Sequence, residues 1–316
     1  MPKILVTGAL GQIGTELCAA LRLIHGQEQV IASDIRILND TPFAIRPYVQ
    51  LDVLDKIALH ALILKEKITE VYHLAATLSA TGEKHPLKAW ELNMQGLFNV
   101  LDIAKTDKLK IFWPSSIAVF GPTGNKAFSQ QHSVTAPTTA YGISKVAGEL
   151  WCKYYHEQYG VDVRSIRYPG LISHTAPPGG GTTDYAVDIF HQALKHRHYT
   201  CFLKPHTTLP MMYMPDAIRA TLQLMSAPAD KVKIRIGYNV HALSFSPEQL
   251  AQEIGKHLPS LKIYYKPDDR QVIADSWPTS VDDHHARQDW HWQHEFELDT
   301  MVADMLKNLK QLVQHI

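Results

Sequence analysis

Cysteine is scarce in this 316-residue chain: Cys18, Cys152 and Cys201 are odd in number, far apart and without metal-ligand spacing. That excludes a disulfide framework and points to reduced thiols in the cytoplasm. A charge excess is also missing, since Lys+Arg and Asp+Glu both number 31 and no basic run or arginine stripe occurs. Nucleic acid is therefore not expected as a partner. No apolar run approaches the ~20 residues that span a bilayer, so no membrane association is expected. The start of the chain lacks the apolar region and cleavage site of a signal peptide. Histidine is the one abundance, at 18 residues. Its C-terminal members His284, His285, His291 and His294 sit among Asp282, Asp283, Arg287 and Gln288, the composition of a solvated surface. With no His-x-x-x-His pair and third ligand, no metal is expected.

Short apolar segments alternate with amphipathic ones. Strands are expected at Ile4–Thr7, Val30–Ser33, Val71–Leu74, Ile111–Trp113 and Val163–Ile166, with helices over Gly14–His25 and near 55–66, 86–106 and 139–159. This alternation predicts a parallel sheet covered on both faces and wound with right-handed crossovers. After residue 170 the pattern changes. A flexible loop is expected from Ala176 to Thr183, a helix near 184–196, and a strand at Ile234–Tyr238 that rejoins the sheet. The predicted architecture is α/β, a Rossmann-type doubly wound parallel sheet with a smaller C-terminal substrate-binding lobe. Residues 1–170 with 215–245 would form the sheet domain, and 171–214 with 246–316 the lobe.

Gly8, Gly11 and Gly14 follow the first strand and open the first helix. Glycine there permits a tight turn and lets the backbone approach a pyrophosphate, while the helix N-terminus offers N–H donors. Asp34 ends the second strand twenty residues later, where a carboxylate accepts from adenosine ribose hydroxyls and repels a 2′-phosphate. NAD is thus favoured over NADP, although Arg36 could approach a phosphate. Asp52 and Val53 could hold the adenine edge, and Leu74, Ala75 and Ala76 could lie against the cofactor. Each of these is otherwise ordinary sheet packing.

Tyr141 and Lys145 are four residues apart, hence one helical turn from each other. An ammonium near a phenol favours tyrosinate, which turns a group of pKa about 10 into a usable base. Ser115-Ser116 lies a strand-to-loop distance earlier. Together these residues describe a Ser-Tyr-Lys proton-transfer group beside a dinucleotide site.

The ordered set of the glycine motif, His73-Leu-Ala-Ala76, Asn93, Ser115-Ser116-Ile-Ala-Val-Phe-Gly121 and Tyr141-x-x-x-Lys145 resembles the extended short-chain dehydrogenase/reductase family, which includes nucleotide-sugar epimerases and dehydratases. Ser116 is followed by Ile117 and Ala118, so the acid that dehydratases place there is missing. Pro169-Gly170 stands where nucleotide-sugar members usually carry an asparagine. Leu78-Ser79-Ala80, Gly181-Thr-Thr-Asp-Tyr185, Leu209-Pro-Met-Met-Tyr-Met-Pro-Asp216 and Ala274-Asp-Ser-Trp-Pro278 resemble the family branch of short-chain L-threonine 3-dehydrogenases, from residue 3 to about residue 310. The resemblance implies oxidation of the L-threonine β-hydroxyl to 2-amino-3-ketobutyrate with NAD and no metal. It assigns Tyr141 as base, Lys145 as the group that lowers its pKa and holds the nicotinamide ribose, and Ser116 as the holder of the reacting oxygen. It places Gln12, Ile13, Asn93, Tyr168, Pro169 and Leu171 with the residues above along the cofactor. Ser79, Ser115, Thr182 and Thr183 are candidates for substrate contacts, with Trp277 as a wall or lid. Thr182 and Thr183 could equally be helix caps. No clamp for the zwitterion's charged ends is evident. A homodimer through the helices near 86–106 and 139–159 is implied, those helices carrying Leu97, Phe98, Leu101, Leu150, Trp151 and Tyr155. The competing expectations are an NAD-dependent nucleotide-sugar epimerase and a non-catalytic NAD-binding scaffold.

Overall fold

Ile4–Thr7 and Val30–Asp34 are buried along their whole lengths, as strands covered on both faces must be. In the computed structural model, which describes residues 1–38, 45–175 and 179–314, they form β1 (Ile4–Thr7) and β2 (Val30–Asp34). The chain continues through β3 (Tyr48–Gln50), β4 (Glu70–His73), β5 (Lys110–Phe112), the two-residue β6 (Ser115–Ser116) and β7 (Asp162–Arg164). Next come β8 (Ile166–Tyr168), β9 (Gly170–Ile172), β10 (His198–Cys201), β11 (Leu209–Tyr213), β12 (Tyr238–Asn239), β13 (Leu243–Phe245) and β14 (Lys262–Tyr265).

Six strands pair in the order β3-β2-β1-β4-β5-β7, all parallel. Alternation along β1 sends Ile4 and Val6 into one apolar core and Leu5 into another on the opposite face. The expected α/β doubly wound sheet is present. Strand order reverses beside β1, where β2 lies on one side and β4 on the other, and such folds bind ligands at that crevice.

Three smaller sheets flank the main one: β12-β8-β6, β13-β11-β9 and β10-β14. The strand expected over Ile234–Tyr238 is displaced. Only Tyr238–Asn239 is strand, and it pairs with β8 and not with the six-stranded sheet. The residues before it curl around the Tyr238 hydroxyl, which accepts from the backbone N–H groups of Lys233 and Ile234 at 2.8 and 3.1 Å. Of the loop expected after residue 175, residues 176–178 lie outside the described residues.

The helix Ala140–Tyr159 carries the Tyr-Lys pair. Thr139 caps it by accepting from the Gly142 amide at 3.0 Å, and Gly160 ends it with φ 70°. The helix expected near 86–106 is three pieces: Pro86–Trp90, a π-helical turn at Glu91–Gln95, and Gly96–Asp107. Among the described residues no helix is long and apolar enough to cross a membrane.

Candidate active site

A cavity of about 640 Å³ opens at the carboxyl ends of β1 and β4, with a side cavity of about 270 Å³ beneath Asp34. Gly8 turns with φ 71°, and a methyl group there would come within 2.7 Å of the Ala75 nitrogen. At Gly14 a methyl would meet the Ala9 Cα at 2.7 Å. The helix Gln12–His25 starts from Gly11 with no side-chain cap, leaving first-turn N–H groups for an anion. Gln12 adds a buried amide nitrogen without a partner. This bare-backbone cradle with donors fits the pyrophosphate of a dinucleotide.

Asp34 closes β2, 8% exposed. Its Oδ2 accepts from the Leu10 amide at 3.1 Å, and its two oxygens meet Arg36 Nε and Nη2 at 2.9 and 3.1 Å. Burial pushes the carboxyl up, but the hydrogen bonds from Arg36 and from the Arg36 and Leu10 amides outweigh it and hold the pKa below the ordinary value. Asp52 and Val53 line the side cavity with Leu74, Ala75 and Ala76. They lie just past β3, in a turn held by Asp52 Oδ1 accepting from the Leu54 amide at 2.9 Å.

At the other end Ser116, Tyr141 and Lys145 converge on the main cavity. Ser116 Oγ accepts from the Ala118 amide at 3.2 Å, and its hydroxyl acts on the Tyr141 phenol to lower its pKa. Lys145 is 3% exposed, its Nζ donating to the Pro114 carbonyl at 2.6 Å and lying 5.5 Å from the Tyr141 ring centre. The expectation of a lowered phenol pKa is corrected here. Burial pushes Tyr141 up to about 12, with Ser116 opposing. Burial also lowers Lys145 to about 7, against the neighbouring Cys152 and Glu149. Both groups are held short of their charged forms because the protein surrounding them replaces water.

Ser79, Thr182, Thr183 and Trp277 form the rest of the wall. Ser79 Oγ and Thr182 Oγ1 are 3.2 Å apart. Neither threonine caps the helix Tyr185–His196, which has no side-chain cap. Asp184 instead turns back, and its Oδ2 accepts from the Gly180 and Gly181 amides at 2.8 and 2.7 Å. Burial raises its carboxyl pKa. It is the only carboxylate among the described residues lining this cavity.

Gly8, Gly11, Gln12, Ile13, Gly14, Arg36, Tyr168, Pro169 and Leu171 also line the main cavity. Asn93 does not: it sits in the π-turn, 4% exposed, its Oδ1 accepting from the Thr77 amide at 2.8 Å and its Nδ2 donating to Ser144 Oγ at 3.2 Å. Ser115 reaches the cavity wall, but its hydroxyl donates away from it, to Glu149 Oε1 at 2.6 Å. Sequence reasoning missed Asp184 and Asn99, whose amide donates to the Val53 carbonyl at 2.9 Å. For Asp184 the Gly179-Gly-Gly181 run was the available signal, because bare amides attract a nearby carboxylate; for Asn99 there was none.

Residues 4–240 match the model of the NAD dependent epimerase/dehydratase family. The mitochondrial L-threonine 3-dehydrogenase of Bos taurus is 47% identical over 305 residues, 96% of this chain and 82% of that protein. The holo form of a GalE-like L-threonine dehydrogenase from Cupriavidus necator is 55% identical, covering 98% of this chain and 100% of that one with a TM-score of 0.95. A monomeric L-threonine 3-dehydrogenase from metagenomic sequence, in its apo form, is 48% identical over 98% of this chain and 99% of that one, also with a TM-score of 0.95. Fold, glycine cradle and these similarities agree: the chain belongs to the NAD dependent epimerase/dehydratase family.

Proposed function

We propose that this protein is an NAD-dependent L-threonine 3-dehydrogenase, an oxidoreductase that converts the β-hydroxyl of L-threonine to the ketone of 2-amino-3-ketobutyrate. The observation that carries this reading is the Ser116–Tyr141–Lys145 group opening onto a cavity walled by the short hydroxyl side chains of Ser79, Thr182 and Thr183. A diphosphate sugar would ask for a cationic surface. The one arginine among the described lining residues, Arg36, is engaged by Asp34.

The glycine cradle would hold NAD, with Asp34 meeting the adenosine ribose. When bound, NAD would supply the hydride acceptor. Ser116 holds the reacting oxygen and Tyr141 takes its proton. Lys145, anchored on the Pro114 carbonyl, sets the charge beside the phenol and meets the nicotinamide ribose. Asp184 gives the substrate ammonium a partner: Oδ2 holds the loop amides, leaving Oδ1 for the ligand. The Ser79 and Thr182 hydroxyls meet the substrate carboxylate, and Trp277 closes the apolar side around the methyl group.

The division into a nucleotide domain (1–170 with 215–245) and a substrate lobe (171–214 with 246–316) follows from these roles. A homodimer is supported by the part-exposed aromatic edge of the helix Ala140–Tyr159, where Trp151 and Tyr154 are 40% and 43% exposed and Phe98 packs on Trp151. Three buried free thiols support a cytoplasmic setting.

Absorbance of NADH tests the function, with L-threonine, L-allo-threonine, D-threonine, L-serine and a nucleotide sugar supplied at equal concentration. L-Threonine should give rapid NADH release. L-Serine should be slower, because one methyl contact is worth about 1–3 kcal/mol. Silence with L-threonine under conditions where NAD binds, or rapid turnover of the nucleotide sugar, would overturn the reading. An epimerase would interconvert its sugar without releasing reduced cofactor.

A further inference from the structure

Behind the Ser116–Tyr141–Lys145 wall lies a charged group that no step above uses. Glu149 is four residues beyond Lys145 on the same helix, one turn further along its face. It is 3% exposed, and Arg167 is 1% exposed. Glu149 Oε1 accepts from Ser115 Oγ at 2.6 Å and from Arg167 Nε at 2.7 Å, while Oε2 accepts from Arg167 Nη2 at 2.6 Å. Arg167 Nη1 donates onward to the Gln131 carbonyl at 2.8 Å and to Asn239 Oδ1 at 3.2 Å. The arrangement has no slack. A methyl group at Gly237 would come within 2.7 Å of both Arg167 Cγ and Glu149 Oε1, and within 3.0 Å of Ser115 Cβ.

Two facts connect this group to the chemistry. The first is positional. β6 and β8 pair with Ser115 opposite Arg167 and Ser116 opposite Tyr168. One carboxylate therefore ties the helix that carries Tyr141 and Lys145 to the strand that carries Ser116. The same strand follows Pro114, whose carbonyl accepts from Lys145. The second is electrostatic. The groups facing Lys145 are Tyr141, Glu149 and Cys152 from its own helix, His73 from β4, and the Trp113 ring at 4.4 Å. Burial keeps the Cys152 thiol and the His73 imidazole neutral, so Glu149 is the one negative charge in that set. Burying an ion pair carries a desolvation penalty that an apolar pair of the same volume avoids. Stability alone gives no reason to keep this one.

We infer that Glu149 is a positioning residue of the catalytic group: through Ser115 it sets where Ser116 stands, and through its charge it keeps Lys145 protonated beside Tyr141. This rests on the reading of Tyr141 and Lys145 given above. Two variants separate the two effects. Glu149→Gln keeps the shape and one acceptor oxygen but removes the charge. Ser115→Ala removes the link to the strand and leaves the charge.

The experiment measures kcat and KM for L-threonine across pH, NAD affinity, thermal stability, and the ultraviolet tyrosinate signal of cofactor-free protein as wild type minus Tyr141→Phe. In Glu149→Gln, Lys145 loses its proton at lower pH and the positive charge beside the phenol goes with it. The acid limb of kcat/KM, which reports groups of the free enzyme, should move to higher pH by about one unit, the ordinary size of an environmental shift. The tyrosinate signal should move the same way, and kcat at neutral pH should fall. Ser115→Ala should lower kcat with the acid limb unmoved. If Glu149→Gln does not fold, Glu149→Gln with Arg167→Met removes both charges and should recover folding while keeping the shifted limb. A wild type inactive on L-threonine refutes the functional reading itself. An active wild type whose folded Glu149 variants keep its kcat and its acid limb, whatever their melting temperature, overturns the inference and leaves the function standing.

Discussion

Asp34 and Lys145 sit at opposite ends of one cleft and hold their charges under opposite conditions. Asp34 is buried, yet its carboxyl titrates below the ordinary value because Arg36 and two amides touch it directly. Lys145 is more deeply buried, and the nearest carboxylate, Glu149, directs its hydrogen bonds to Arg167 and Ser115 instead of to the ammonium. There burial wins, and the ammonium falls to about 7. The contrast separates recognition from chemistry. A charge that selects a cofactor works best fixed, and contact fixes it. A charge that assists proton transfer works best near its midpoint, and desolvation without a contacting counter-ion brings it there.

The largest effect expected is at the chemical end. Tyr141→Phe keeps the ring and its packing but removes the ionisable oxygen, so turnover should fall by ~10²–10⁴ or more, with NAD affinity and melting temperature nearly unchanged. A variant retaining half the wild-type rate would place the base elsewhere. At the fixed end, Asp34→Ala should weaken NAD binding by about 1.5–3 kcal/mol, the range for a hydrogen bond involving a charged group. The same change frees Arg36 and should narrow the preference over NADP. Equal wild-type efficiency with both cofactors would mean that Asp34 does not select.

Between the two ends, Gly170→Ala tests the substrate wall. The added methyl would come within 2.6 Å of Thr183 Cγ2 and 2.5 Å of Met211 Sδ. Overpacking of this kind costs about 1–3 kcal/mol, and KM for L-threonine should rise while NAD affinity holds. Equal losses in both affinities would show the strain spreading through the sheet. A further test sharpens the Lys145 side. Its folded pKa lies below the unfolded value, so the unfolded chain binds its proton more tightly and the buried ammonium subtracts from stability at neutral pH. That penalty is full below about 7 and relaxes as pH rises toward 10.5. Compared with Lys145→Met, the wild type should therefore gain in melting temperature over that window. A difference independent of pH would mean that Lys145 titrates normally.

The nucleotide half was largely legible because its elements are local. β1, β2 and β4 announce themselves as short apolar runs, and glycine spacing has one physical meaning after a strand. The substrate wall was legible only through resemblance, since Ser79, Thr182 and Trp277 come from three distant segments. What stayed hidden was polar and buried. Glu149 and Arg167 read as ordinary charged positions on a helix and a strand, and nothing in a linear chain says that they meet. Ser115 was expected to face substrate, but successive strand residues point to opposite faces, and its hydroxyl belongs to Glu149. The phenol expectation failed for a related reason: spacing brings Lys145 close to Tyr141, while burial, which spacing does not encode, decides their protonation.

The π-turn at Glu91–Gln95 has a consequence for how this chain can change in length. Such a turn is an α-helix with one residue too many, so deleting a residue there should leave a continuous helix with better-formed hydrogen bonds. Because the surplus residue is absorbed as a local bulge, the helix before it and the helix after it would keep their relative phase, and the change would fall on the bulge itself. Asn93, which sits in the bulge, would lose its grip on the Thr77 amide, while Asn99, beyond it, would keep its hold on the Val53 carbonyl. A chain one residue shorter here should fold at least as readily and bind its cofactor worse, which makes the count of residues in this segment, more than their identities, the trait under constraint.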